Sequence, residues 1–168
     1  GKWHMGDSFN PQCGFTFWKT TAMGGENYFY PVVLDNGKMV LKENQYVTDI
    51  ICNNAIEFLI ERDKAKPFYL SVHFTAPHSP WSAENHPKKY IDLYSKCAFK
   101  STPNVPPHPW APNGKKTLEE WNAEPHPGIR FSGAHYGPIL ETWQEHRRES
   151  LTGYYAAITA MDAAIGRI

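Results

Sequence analysis

Residues 67–81 read Pro67-Phe68-Tyr69-Leu70-Ser71-Val72-His73-Phe74-Thr75-Ala76-Pro77-His78-Ser79-Pro80-Trp81. The first half of this stretch is apolar and rich in aromatic and β-branched residues, which predicts a buried β-strand. Pro77 and Pro80 cannot donate a hydrogen bond to a neighbouring strand, so the strand must end near Ala76. His78 then follows on a stiff turn at the carboxyl end of the strand, where open α/β sheets bind their ligands. His78 is therefore a candidate catalytic residue, and a solvated loop histidine is the simpler alternative.

The segment before this strand predicts a helix. Apolar residues recur at helical spacing over roughly residues 46–61, while acidic and amide side chains fall on the other faces. A helix that leads through a short loop into a buried strand is half of a β-α-β crossover. The sequence therefore predicts an α/β fold.

Three further elements are predicted along the chain. Asp35-Asn36-Gly37 lies between two apolar runs, and Asn-Gly in that setting is a strong signal of a β-hairpin. A short strand is predicted at residues 15–18, and a short helix at residues 86–94 with a proline in its first turn. A long amphipathic helix is predicted from about residue 139, with an apolar stripe made of Leu151, Tyr154, Tyr155, Ile158, Met161, Ile165 and Ile168.

Composition narrows the class of protein. A chain of 168 residues is expected to form one domain with a substantial core. Basic and acidic residues balance at 17 each, which gives no sign of nucleic-acid binding. No apolar run approaches the length of a membrane span. Cys13, Cys52 and Cys97 show neither metal-ligand nor disulfide spacing, so each is interpreted as a free thiol.

The later middle of the chain is less informative. Prolines dominate residues 102–112, which predicts a stiff, extended loop that either shapes access to a cleft or packs on the surface. Residues 113–138 have no clear periodicity. Four side chains there either line the rim of a substrate site or are plain surface residues, and their spacing matches no metal template: Trp121, His126, His135 and Tyr136.

The opening hexapeptide is Gly1-Lys2-Trp3-His4-Met5-Gly6. Side chains alternate along an extended segment, so Lys2 and His4 are expected to share one face while Trp3 packs on the other. A cation and an imidazole can then point into one site. Two exposed side chains with no such role are the alternative.

Taken together, these patterns resemble a known family. G-K-W-H-M-G at residues 1–6 and P-F-Y-L-S-V-H-F-T-A-P-H-S-P at residues 67–80 are similar to motifs of the sulfatase family, within the alkaline-phosphatase-like superfamily. Residues 153–168, which open with Gly-Tyr-Tyr-Ala-Ala-Ile, resemble a Y-Y-A helix of that family. The resemblance runs from the first residue to the last and is loose over roughly residues 82–149.

The resemblance implies a fold. It implies part of an alkaline-phosphatase-like three-layer sandwich, with an incomplete central sheet flanked by helices. Residues 1–168 are then expected to be a single partial domain, the middle portion of a sulfatase catalytic domain.

The resemblance also implies roles for particular residues. In the family, the lysine of G-K-W-H contacts the sulfate and the nucleophile, and its histidine orients or deprotonates the hydroxyl of the nucleophile. The histidine of A-P-H binds the sulfate near the leaving oxygen. Lys2, His4 and His78 are therefore the expected catalytic residues, and Lys2, His78 and Trp81 are expected to bind the substrate. The residue types suit the chemistry, because sulfate ester hydrolysis needs fixed positive groups and a proton donor.

Other parts of the family's machinery are missing from this sequence. No cysteine fits the C/S-x-P-x-R motif from which the family's formylglycine nucleophile is made. The paired aspartates that hold calcium in the family are absent, as is the later Asp-Asn-Gly with its lysine. Asp35 and Asn36 lie upstream of the A-P-H strand and are not assigned as metal ligands. Calcium and formylglycine are therefore expected only in a full-length parent, and no metal site is expected within these residues.

The leading expectation is a portion of an arylsulfatase-like sulfuric ester hydrolase that acts on a sulfated small molecule or sulfated carbohydrate. The 168 residues alone are expected to be inactive. The alternatives are a phosphonate or phosphate ester hydrolase of the same superfamily, and a non-catalytic chain that binds anions or glycans. Open sheet edges predict self-association. The resemblance favours an extracytoplasmic location, whether periplasmic, secreted or lysosomal.

Overall fold

The computed structural model describes residues 1–23, 27–35, 37–103 and 143–168. Within these ranges the chain forms three β-strands, three α-helices and one turn of 3-10 helix. The chain divides into two compact units, one made of residues 1–77 and 158–168 and the other of residues 78–157. The predicted proline-rich loop and the four candidate rim residues at 121, 126, 135 and 136 lie largely or wholly outside the described residues.

The strands of the first unit form one antiparallel sheet in the order β1-β2-β3. Strand β1 is Thr20–Thr21, β2 is Val32–Asp35 and β3 is Lys38–Leu41. Asp35 pairs with Lys38 across the turn, and Gly37 has a φ of +75°, a conformation that a residue without a Cβ adopts at little cost. The predicted hairpin is confirmed, with Asn36 itself outside the described residues.

Helix α1, Val47–Glu61, confirms the helix predicted at 46–61. Its first three turns bury a face that includes Ile50, Ile51 and Ala55. The end of the chain packs on the same helix: the Cys52 thiol donates to the Ala164 carbonyl at 3.2 Å, and Arg167 pairs with Asp49 at 3.0 Å.

The prediction of a strand at residues 67–76 is wrong, because these residues form no strand within the described part of the chain. No strand is assigned there, and Phe68 and Tyr69 are 49% and 77% exposed. A strand needs a neighbour that satisfies its backbone groups. Among the described residues, the one backbone partner along residues 67–75 is the Lys2 amide, which donates to the His73 carbonyl at 2.7 Å. The end of the stretch is as predicted, because residues 76–79 form a turn.

The short strand predicted at 15–18 is also wrong, since the structure places β1 two residues later. The aromatic side chains of this segment pack separately instead of alternating along a ladder. Phe15 contacts Tyr69 with ring centroids 6.0 Å apart, and Phe17 contacts Phe58 at 5.2 Å. Aromatic ring packing of this kind stabilises the first unit without backbone pairing.

The second unit contains a 3-10 turn, Ala83–Asn85, and helix α2, Lys88–Tyr94, which begins directly after Pro87. Helix α2 confirms the short helix predicted at 86–94. Helix α3, Trp143–Ile165, confirms the long C-terminal helix, while residues 139–142 lie outside the described residues. No helix of the described residues is long and apolar enough to cross a membrane.

The apolar stripe predicted for α3 is not the most buried face of the helix. The larger apolar residues of the predicted stripe are half-buried or exposed, and Ile165 is 53% exposed. The helix instead buries a neighbouring face of small residues: Gly153, Ala156, Ala157, Ala160 and Ala164. Small side chains allow backbones to approach closely, and hydrophobic periodicity alone overlooks a helix face built for that purpose.

The closest approach in the second unit lies at Gly153. A Cβ at this position would stand 1.7 Å from the carbonyl oxygen of Trp81 and 2.4 Å from its carbonyl carbon. Backbone atoms cannot rotate away as a flexible side chain does. Only glycine therefore fits at this point of the helix.

We expect Gly153→Ala to destabilise the chain. Alanine has the higher helix propensity, which by itself would stabilise the helix by about 1 kcal/mol. The clash with the Trp81 backbone should cost about 2–4 kcal/mol, at or above the usual range for overpacking. Urea unfolding followed by helical circular dichroism measures the change. Gly166→Ala is the matched control, because the nearest atoms to its Cβ lie at 3.7 Å and stability should change little. Equal stability of Gly153→Ala and wild type would contradict this packing.

Candidate active site

The Gly1–His4 segment lies in the first unit. Trp3 is 9% exposed, and its ring meets that of Trp18 edge-on with centroids 5.2 Å apart. Lys2 is half-buried and His4 is exposed. The predicted packing of Trp3 is thus confirmed. Trp3 anchors the segment between two residues whose side chains are accessible for chemistry.

Gly1 fixes this segment against the end of the 67–75 stretch. A Cβ on Gly1 would lie 2.5 Å from the carbonyl oxygen and 2.8 Å from the nitrogen of His73. The Lys2 amide then donates to that same carbonyl. The glycine is required for close backbone approach, and the approach places Lys2 beside His73.

A cleft of about 700 Å³ opens next to Lys2. Its wall carries Lys2 and His73 together with aromatic side chains from four parts of the first unit. The Arg62 guanidinium stacks 4.3 Å from the ring centroid of Phe68, a geometry that stabilises a cation against an aromatic face. The cleft therefore combines a large apolar wall with cationic groups.

His78 lies on the predicted turn, in the second unit, and is exposed. Its Nδ1 lies 2.8 Å from the Ser79 carbonyl oxygen. A carbonyl only accepts, so Nδ1 carries the proton of the neutral ring and Nε2 carries a lone pair. In this tautomer Nε2 is an acceptor, and it donates to an anion only when both ring nitrogens are protonated.

Trp81 is half-buried at the end of the same turn. Its ring meets that of Tyr154 on α3 at 90°, with centroids 5.8 Å apart. Its backbone carbonyl lies against Gly153. Trp81 therefore has a packing role in the second unit, and the substrate-binding role predicted for it stays a prediction.

The predicted site residues divide between the two units. Lys2 and His4 belong to the first, and His78 and Trp81 belong to the second.

Two histidines near these residues were not predicted as site residues. His73 contacts the Lys2 amide through its carbonyl, and its Nε2 lies 2.8 Å from the Ser71 hydroxyl. His86 is buried behind the His78 turn, where its Nε2 lies 3.0 Å from the Pro80 carbonyl oxygen. No sequence motif or spacing indicated a role for His73 or for His86.

The described residues do not fit a calcium site. They bring no three His, Cys, Asp or Glu side chains into one group that could hold a metal ion. Calcium is bound by six to eight oxygens, chiefly from carboxylates and carbonyls. The three cysteines are free thiols, with Cys52 buried, Cys97 half-buried and Cys13 exposed.

Comparison with known proteins assigns the class of the fold first. The structure resembles a solved structure of a protein in complex with its substrate D-glucosamine-2-N,6-O-disulfate, with a TM-score of 0.60 and 21% sequence identity over 94% of this chain and 40% of that chain. The chain thus has part of an alkaline-phosphatase-like α/β fold.

The family follows from the sequence. The sequence model of the Sulfatase family matches residues 1–168. An N-acetylglucosamine-6-O-sulfatase of Bacteroides thetaiotaomicron is 35% identical over 107 residues, which cover 62% of this chain and 18% of that protein. An ulvan-active sulfatase of Formosa agariphila is 26% identical over 99% of this chain and 27% of its own length. The chain belongs to the Sulfatase family and spans about a fifth to a quarter of these two relatives.

His86 should make stability depend on pH. Burial lowers the pKa of His86 to about 4, from an ordinary value of 6.5. At a pH between these two pKa values, the His86 side chain is protonated in the unfolded state and neutral in the folded state. The stabilisation is therefore complete above pH 6.5 and is lost as the pH falls towards 4, on the order of 3 kcal/mol in total.

Urea unfolding at pH 7 and at pH 4.5 measures this loss in wild type and in His86→Gln. Burial also raises the pKa of Glu149, which acts with the opposite sign, so the difference between the two proteins isolates His86. We expect a smaller loss on acidification in His86→Gln. His4→Gln, at an exposed histidine, is the control and should lose stability as wild type does. Identical losses in all three proteins would contradict the neutral, buried His86.

Proposed function

We propose that this chain supplies the sulfate-binding side of a sulfatase active site, and that the parent protein hydrolyses sulfate monoesters. In this proposal Lys2 contacts the sulfate as a fixed cation, His4 orients the hydroxyl of the nucleophile, and His78 binds the sulfate near the leaving oxygen. The observation that carries the proposal is the presence of Lys2 and His78 in their motifs within a chain that matches the Sulfatase family from residue 1 to residue 168.

The local geometry supports these roles. The packing of Trp3 and the close approach of Gly1 to His73 hold Lys2 at the wall of the cleft. The contact with the Ser79 carbonyl holds Nδ1 of His78, and Nε2 is the nitrogen that we propose meets the sulfate. Lysine and histidine hydrogen bonds to a sulfate are charge-assisted, and these are among the stronger contacts a protein makes.

The substrate class that we propose is a sulfated carbohydrate. Among the relatives, one is named for 6-O-sulfated N-acetylglucosamine and another for ulvan, and the similar solved structure contains a glucosamine disulfate. Aromatic residues such as Trp81 suit a sugar face, because they offer a large apolar surface with a polar edge. Calcium and formylglycine belong to this proposal as components of the parent, and an extracytoplasmic location accompanies it.

We expect the chain to bind inorganic sulfate weakly and in preference to chloride at equal ionic strength. Lys2→Gln and His78→Gln should each weaken sulfate binding by about tenfold, since a hydrogen bond to a charged group contributes about 1.5–3 kcal/mol. Titration followed by 1H–15N chemical shifts gives the affinities. Lys96→Gln, at an exposed lysine after α2, is the control and should bind as wild type. Equal weakening by Lys96→Gln would contradict a specific site.

The wild-type chain used for the sulfate titration can also be assayed for hydrolysis of a sulfate ester. We expect no hydrolysis of 4-nitrophenyl sulfate by the 168 residues with or without added calcium, because a nucleophilic mechanism needs its nucleophile. Reproducible, calcium-dependent release of 4-nitrophenol would overturn that expectation. Hydrolysis of a phosphonate ester in preference to the sulfate would instead favour the alternative hydrolase of the same superfamily.

We also propose that the chain associates with itself through residues 67–72. Within the described part of the chain this segment makes no backbone-to-backbone hydrogen bond, and Tyr69 at its centre is largely exposed. Unpaired backbone beside apolar side chains is a template for pairing with a second copy. The net charge of zero leaves little electrostatic repulsion between copies.

Sedimentation velocity over a range of concentrations tests this proposal. Wild type should sediment increasingly as dimers or larger species. Tyr69→Pro and Leu70→Pro each remove one donor on opposite edges of the segment, and at least one of them should restore the monomer. Tyr69→Thr keeps the donor and should still associate. A monomeric wild type with a sharp, concentration-independent melt would contradict the proposal.

A further inference from the structure

The turn that carries His78 is held through its carbonyl groups. Pro80 has no N–H, and its ring fixes φ, so the orientation of this stretch depends on where its carbonyls are bound. The Ser79 carbonyl accepts from His78 Nδ1 at 2.8 Å, and the Pro80 carbonyl accepts from His86 Nε2 at 3.0 Å. The Trp81 carbonyl lies against the backbone of Gly153. Two consecutive carbonyls are thus each bound by a histidine nitrogen, and the third packs against a helix backbone.

His86 is the buried member of this set. It is 3% exposed and follows directly on the 3-10 turn. That turn is itself braced: Ser82 is fully buried, and the Asn85 side-chain amide donates to the Ser82 hydroxyl at 2.8 Å. The backbone that carries the His86 imidazole is therefore held in place next to Pro80.

The protonation state of His86 suits a permanent contact. Because the Pro80 carbonyl only accepts, Nε2 carries the proton in the neutral ring. Burial lowers the pKa of His86 to about 4, so the ring stays neutral over the range in which exposed histidines titrate. A lysine or arginine donor at this buried position would carry a large desolvation cost.

The covalent path from His86 to His78 is short. The hydrogen bond fixes the Pro80–Trp81 peptide plane, and only φ and ψ of Pro80 separate this plane from the Ser79–Pro80 plane. The proline ring fixes φ. The Ser79 carbonyl, which holds Nδ1 of His78, is therefore separated from the His86 contact by a single free backbone rotation, ψ of Pro80.

We propose that His86 is a positioning residue for His78: its neutral imidazole holds the Pro80 carbonyl and thereby sets the Ser79 carbonyl that selects the Nδ1–H tautomer of His78. The value of this arrangement rests on the function proposed for His78, in which Nε2, the other ring nitrogen, meets the sulfate ligand. The positioning itself does not depend on what that ligand is. It extends the site from an exposed histidine to the buried one behind it.

Long-range 1H–15N spectra of the histidine rings at pH 7.5 test the proposal, because they distinguish the Nδ1–H and Nε2–H tautomers. In wild type we expect His78 to be mainly Nδ1–H, and His86 to be Nε2–H with a slowly exchanging proton. His86→Leu removes the donor and should return His78 to a mixture of tautomers. His86→Gln can donate from a nitrogen at a similar distance along its side chain and should restore much of the wild-type state.

The outcomes are separable. An unchanged His78 tautomer in a folded His86→Leu variant would overturn the proposal, with the amide signals of helix α2, in the same unit, as the check of folding. If His86→Leu does not fold, the wild-type spectrum decides, and a rapidly exchanging or Nδ1-protonated His86 would overturn it. Sulfate titration of the same samples tests the proposed function separately: a tautomer change in a chain that binds no sulfate would support the positioning and contradict the role of His78.

Discussion

The second unit depends on the contact between Gly153 of helix α3 and the backbone of Trp81. At this point the helix approaches the turn so closely that a single Cβ would overlap the Trp81 carbonyl. Neighbouring small residues on the same face, such as Ala156 and Ala157, are fully buried. Because the helix can come this close, the Tyr154 ring can reach the Trp81 ring, and the turn that bears His78 gains a rigid support.

The first unit is held in a different way. Its sheet is small and antiparallel, and its stability comes from helix α1 and from aromatic contacts around the cleft. The 67–75 segment contributes rings to this packing but few backbone bonds. The unit therefore has a well-packed side, where the chain end meets α1 through Cys52 and Arg167, and a side on which apolar groups remain accessible.

These two kinds of support correspond to the two parts of the proposed site. Lys2 is placed by backbone approach at Gly1 and by the burial of the adjacent Trp3. His78 is placed by the carbonyls of a proline-bounded turn, with His86 buried behind it. In both cases the side chain proposed to bind the sulfate is at least partly accessible, and a buried residue, Trp3 or His86, contributes to holding its segment. Preorganised charged and polar groups of this type are what the transfer of an anionic group requires.

The sequence by itself determined the elements whose signals are local, and it determined the family. Asn-Gly chemistry predicted the β2-β3 hairpin, apolar periodicity predicted α1, and the prolines predicted the end of the 67–76 stretch. The motifs around Lys2 and His78 identified the Sulfatase family. Only the tertiary structure decided which face of α3 is buried, that residues 67–75 lack a strand partner among the described residues, and that His86 supports the His78 turn. The physical reason is that each of these depends on distance to atoms far away in the sequence: a small residue is buried only if a backbone comes close, and a strand forms only if a neighbour accepts its hydrogen bonds.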